Sequence, residues 1–108
     1  MLRRAVALAS NPQILRLLDC YGGLLPSKQY DIISCYYEDD LSLSEIAENE
    51  GITRQGVSNN IKRAERFLQE TEDKLGLLSS AQKLRDFAET MSDPDEKNRL
   101  LNIVDNIY

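Results

Sequence analysis

The chain of 108 residues contains no histidine and no tryptophan, two cysteines, three prolines, five glycines and only 6% aromatic residues. Without histidine it lacks the usual general base at neutral pH and the commonest metal ligand. Cys20 and Cys35 form no C-x-x-C and have no histidine partner, so they read as reduced cytoplasmic thiols in the core, neither nucleophiles nor a redox pair. Asp39 and Asp40 are adjacent carboxylates in an expected turn, where neighbouring side chains diverge, so no metal is expected there. There is no phosphate-cradling glycine loop and no nucleophile elbow. No catalytic residue, cofactor or metal is expected.

Long apolar runs are also missing. Arg3-Arg4 precedes Ala5–Ala9, which is shorter than the ~7–15 residues of a secretion-signal core. Nothing approaches the ~20 apolar residues of a membrane span. A soluble, cytoplasmic protein with no membrane partner is expected. Cations are in deficit too, at 13 against 18 acids, for a net charge of -5. The chain as a whole therefore repels phosphate, although one basic face remains compatible with that total.

What is present is helical periodicity, and an all-α fold is expected within a single helical domain, 1–108. Asn11-Pro12 supplies a cap and a first helical residue. Ile14, Leu15, Leu17, Leu18 and Tyr21 follow on an apolar face, and Gly22-Gly23 is expected to end the helix with positive φ. A second helix starts near Pro26-Ser27, carries Tyr30, Ile32, Ile33, Tyr36 and Tyr37, and ends at Glu38-Asp39-Asp40. Ser42 and Glu45 have the capping-box spacing for a third. After Gly51, Thr53 caps a fourth, with Val57, Ile61, Ala64 and Leu68 inward. A fifth is expected over about 81–91, with Leu84, Phe87, Ala88 and Met91 inward. Asp93-Pro94 opens the last, which holds Leu100, Leu101, Ile103, Val104 and Ile107.

Residues 41–68 have the parts of a helix-turn-helix. Ala47 is small where two helices must approach, Gly51 makes the turn, Ile52 is expected to plug the corner, and Thr53 starts the second helix. At ~100° per residue, the side opposite the apolar stripe holds Gln55, Asn59, Lys62 and Arg66. Amides pair with adenine, and Arg or Lys reaches guanine or phosphate. Ser58 joins the group, and Arg54 and Arg63 flank it at positions suited to phosphate. Residues 54–67 carry four cations and one acid, +3 locally, whereas 38–50 carry six acids and no cation. A plain solvated helix would also show a polar stripe. The capped turn in register with it favours nucleic-acid binding, to DNA or RNA.

The stretch Leu24–Leu68 resembles the region-four helix-turn-helix of bacterial sigma factors. The matching elements are Leu25-Pro26, Gln29, Tyr36-Tyr37, Leu41-Ser42, Glu45-Ile46-Ala47, Gly51-Ile52-Thr53-Arg54, Val57, Arg63-Ala64 and Leu68. Over Asp19–Leu78 the strings LLPSKQ, YYEDDLSLSEIAE, TRQGVSNNIKRAE and EDKLGL resemble the YlxM-like family of small bacterial proteins. The helix-turn-helix core is expected at about 24–70 and a C-terminal helical extension at about 76–108, and the likeness to the family is weaker after about Ser80. Genes of the family typically neighbour those of signal-recognition-particle GTPases. This implies a regulatory or accessory factor of that pathway, with the particle's RNA, its GTPases or DNA as partners. A protein-interaction module that binds a GTPase without nucleic acid, or a DNA-binding transcription regulator, are the alternatives. Gly56 departs from the family's usual alanine, and Glu50 from the apolar residue of sigma factors.

Ile61, Ala64, Leu68, Thr71, Leu75 and Leu78 continue a 3-4 spacing that Ala81, Leu84, Ala88 and Met91 extend after a slip near Gly76. Packing within the chain accounts for most of these residues. The surplus apolar surface suggests a homodimer, which would also pair two recognition helices.

Overall fold

The computed structural model describes residues 12–108. Residues 1–11, including the cap expected at Asn11, lie outside the described part. Among the described residues there are six α-helices and no strand: α1 Pro12–Tyr21, α2 Ser27–Tyr37, α3 Leu43–Glu50, α4 Arg54–Leu75, α5 Leu77–Ala88 and α6 Pro94–Ile107. The chain is all-α, as its periodicity requires. It divides into two compact units, one ending at Thr71 and the other spanning Glu72–Tyr108.

In the first unit, Leu17, Leu18 and Tyr21 of α1 are buried, as are Ile32, Ile33, Tyr36 and Tyr37 of α2. Between the two helices lies a 3₁₀ turn, Gly22–Leu24, closed by the Leu25 N–H donating to the Gly22 carbonyl at 3.0 Å. Neither glycine has the positive φ expected of it, since only Gly51 and Gly76 among the glycines do. The reason for glycine at position 22 is proximity. A Cβ there would stand 2.9 Å from Cε1 of Tyr30 and 3.1 Å from Cδ1 of Leu18.

The rings of Tyr36 and Tyr37 meet edge-on with centroids 5.0 Å apart. Asp40 turns the chain with a φ of 59°. Cys35 is half-buried, and burial pushes its thiol above the ordinary cysteine range, with the charges of Asp39, Glu50 and Asp31 acting in the same direction.

Ser42 and Glu45 form the capping box. The Glu45 N–H donates to Ser42 Oγ at 3.1 Å, and the Ser42 N–H to Glu45 Oε1 at 2.8 Å. Gly51 then takes the left-handed conformation, φ 70°, and the Ile52 N–H closes back onto the Ala47 carbonyl at 3.1 Å. Glu50, out of place beside the sigma-factor pattern, accepts from Lys28 Nζ at 2.9 Å and so links α3 to α2. That bond raises the Lys28 pKa above the ordinary lysine value.

In the second unit, α5 begins four residues earlier than the spacing alone suggested. Gly76, φ 65°, takes the left-handed conformation directly after Leu75. The Glu72 carboxylate then accepts the Leu78 and Ser79 N–H groups at 3.1 and 3.0 Å, capping α5 from the helix before it. Starting there, α5 turns Leu78, Ala81 and Ala88 inward. Phe87, expected inside, is 62% exposed, and Met91 is half-buried.

Asp93 caps α6 by accepting the Asp95 N–H at 2.9 Å. Val104 is buried, but Ile103, expected on the same apolar face, is 62% exposed. Arg85 of α5 bonds to Asp105 and to the Tyr108 carbonyl, and Glu89 to Lys97, so α5 and α6 run antiparallel.

Candidate nucleic-acid interface

The fourth helix owes its orientation to its apolar stripe. Val57, Ile61, Ala64 and Leu68 are all buried, which turns the opposite side outward. Thr53 opens the helix by accepting the Gly56 N–H at 2.9 Å through Oγ1. Ile52, expected to plug the corner, is instead 40% exposed. Its side chain lies over the first turn of α4, with Cδ1 3.6 Å from where a Gly56 Cβ would stand.

All seven residues expected at the interface lie on α4. Arg54, Gln55, Asn59, Lys62, Arg63 and Arg66 are exposed, and Ser58 is half-buried. Gln55 Nε2 donates to Asn59 Oδ1 at 3.0 Å, which holds the two amides together one turn apart. Arg54, Lys62, Arg63 and Arg66 are in no ion pair among the described residues, whose salt bridges are Lys28–Glu50, Arg85–Asp105 and Lys97–Glu89. The cations are therefore available to an external anion.

Two residues that sequence reasoning left out hold this helix in place. The Tyr37 hydroxyl of α2 donates to Glu65 Oε2 on α4. Glu65 is the single acid among residues 54–67, and this bond draws it towards α2. A tyrosine next to an acidic turn was a weak hint, because its i,i+28 partner could only be known from the fold. Tyr36, Tyr37, Leu43 and Ile61 line a cleft of about 220 Å³ that Ser58 and Lys62 also border. Among the described residues no group of three His, Cys, Asp or Glu side chains is gathered as for a metal ion.

Gly56 occupies the N3 position of α4, where an added Cβ would stand 3.2 Å from Thr53 Oγ1. In α3 the same cap relation already accommodates a full side chain at Glu45. Gly56→Ala is therefore expected to stabilise the protein by about 0.5–1 kcal/mol, by limiting the unfolded chain and favouring the helix. Urea unfolding followed by circular dichroism checks this; a lower midpoint would show that the threonine cap is displaced.

A family model described as "Putative helix-turn-helix protein, YlxM / p13 like" matches residues 9–107. A UPF0122 protein of Bacillus thuringiensis is 54% identical over 66 residues, covering 61% of this chain and 60% of its own length. The chain thus matches about three-fifths of that relative. A UPF0122 protein of Halalkalibacterium halodurans is 43% identical over 81 residues, 75% of this chain and 74% of its own. One from Fusobacterium nucleatum is 36% identical over 95 residues, 88% of this chain and 92% of its own. The match runs through the capped turn, the α4 stripe and the two helices that follow, and the chain belongs to the UPF0122 family of YlxM/p13-like helix-turn-helix proteins.

Proposed function

We propose that this protein is a non-enzymatic, nucleic-acid-binding regulatory or accessory factor that works in the cytoplasm. The observation that carries the reading is the stripe on α4. Four cations free of ion pairs and two linked amides stand exposed on the second helix of a capped helix-turn-helix. That pattern suits phosphate contact by Arg54 and Arg63, base-edge contact by Gln55 and Asn59, and guanine or phosphate contact by Lys62 and Arg66. The resemblance to the YlxM-like family adds the signal-recognition-particle pathway as the setting. No helix among the described residues is long and apolar enough to cross a membrane.

The test is a salt titration of binding to duplex DNA and to the particle's RNA. Wild type should bind at low salt, with affinity falling steeply as salt rises. Lys62→Ala together with Arg66→Ala should weaken binding and reduce the size of the slope of log K against log salt by about 1 for each of the two cations that contacts phosphate. No binding by wild type, or equal binding by the double variant, would refute the reading. The cleft beside Ser58 and Lys62 favours a second reading, in which the same helix grips a GTPase. That reading requires the partner's GTP hydrolysis to change with no nucleic acid present.

A homodimer through the C-terminal helices belongs to the same proposal. The Arg85–Asp105 and Glu89–Lys97 bridges set Phe87 level with residues near 101–103 on the antiparallel helix, and Phe87 and Ile103 are both exposed. Exposed large apolar side chains that together form one patch mark association surfaces. Sedimentation at micromolar concentration should give a dimer that Phe87→Asp dissociates. A monomer at those concentrations would remove the dimer from the proposal.

A further inference from the structure

A second cleft, of about 340 Å³, lies on the first unit between the end of α1 and α2, and it shares no residue with α4. Its buried lining is apolar: Leu18, Leu25 and the bare backbone of Gly22. The Tyr30 ring forms one wall, and it can lie there only because position 22 has no Cβ. Leu24, which follows the lining residue Gly23, is 60% exposed. The charged residues of the lining are both acids, Asp19 and Glu38, and both are exposed. Lys28, the cation nearest in sequence to the lining residue Ser27, is engaged by Glu50 at 2.9 Å. The cleft thus has an apolar floor and two acids at its rim.

We propose that this cleft docks a basic amphipathic peptide segment, one that inserts an apolar side chain while flanking Lys or Arg residues meet Asp19 and Glu38. The size supports this occupant. About 340 Å³ is near the lower end of the ~300–1,000 Å³ of small-molecule pockets, enough for one large anchor side chain and little more. The charge supports it as well. The rim repels nucleic acid and acidic peptides, and complementary charge selects among partners more than it adds raw affinity. An anchor in a pocket ringed by charge is a common way for a helical segment to be recognised. The site does not depend on the function proposed for α4, and either can fail without the other.

Gly23 provides a clean test. It lines the cleft, its φ is not positive, and an added Cβ would meet nothing within 4 Å. Gly23→Leu should therefore fill the cleft and leave the fold intact, which circular dichroism verifies. The probe is a fluorescein-labelled 14-residue helical peptide of leucine and lysine, with its leucine–glutamate counterpart as control. In anisotropy titrations wild type should bind the lysine peptide and ignore the glutamate one. Gly23→Leu should weaken binding at least tenfold, and Asp19→Asn with Glu38→Gln at least threefold. Glu48→Gln with Glu70→Gln makes the same change of charge outside the cleft and should have little effect. Binding undiminished in Gly23→Leu, or equal weakening by the two acid pairs, would overturn the proposal in favour of diffuse attraction. A concentration-dependent self-association that Gly23→Leu abolishes, with the peptide ignored, would also overturn it and give the cleft to a second copy of the chain.

Discussion

Leu68→Ala is expected to lower stability by about 2–5 kcal/mol, the range for emptying a buried leucine site. Leu68 has no exposed surface and ends the stripe of Val57, Ile61 and Ala64 that anchors α4. Alanine there loses the transfer free energy of the missing carbons and leaves a void that helix packing closes only in part. Small domains are stable by only ~5–15 kcal/mol, so the change takes a large share of the total. At a urea slope of roughly 1–3 kcal/mol per molar, the midpoint should fall by at least about 0.7 M with the slope unchanged. Circular dichroism reads this directly. A shift below 0.3 M, on the order of a surface substitution, would mean that the stripe does not anchor the helix.

Tyr37→Phe is expected to cost about 1–3 kcal/mol, because it leaves the Glu65 carboxylate without its hydroxyl donor on a half-buried face. Water can reach part of Glu65, which places the effect in the lower half of that range. A double-mutant cycle separates the bond from the loss of a polar atom. In a Glu65→Gln background the same Tyr37→Phe change should cost less, since a neutral amide accepts a weaker hydrogen bond than a carboxylate. Equal costs in both backgrounds would show that the hydroxyl acts through packing alone. On the function proposed for α4, Tyr37→Phe should also reduce nucleic-acid affinity, although Tyr37 lies outside the stripe.

The helix-turn-helix was legible because its signals are local. Ser42 and Glu45 lie three residues apart, Gly51 is needed for a positive φ, and Thr53 stands one residue before α4; each acts through hydrogen bonds within one turn. The stripe followed from 3.6-residue periodicity once the buried face was identified. The C-terminal part was less legible for the same physical reason. The start of α5 is set by Glu72, six and seven residues from the N–H groups it caps, and by the left-handed turn at Gly76. Leu78 and Ala81, in and just after the added turn, are buried on one face with Ala88, and Phe87 lies about 100° round the helix from Ala88. Phe87 is exposed because α5 packs through that other face, and the apolar spacing expected to run through Leu75 breaks there, with Leu75 56% exposed.

By itself the sequence determined that the chain is helical, where α1 to α3 run to within a residue or two, where α4 begins, and which residues of α4 stand opposite its apolar stripe. These depend on backbone preferences and periodicity, which neighbouring residues dictate. Tertiary structure alone decided that Glu65 would be drawn to Tyr37, that Glu50 would bond Lys28, and that Tyr30 would close over Gly22 beside an acid-rimmed cleft. Each of these joins residues from different helices, and such meetings follow from how the helices pack.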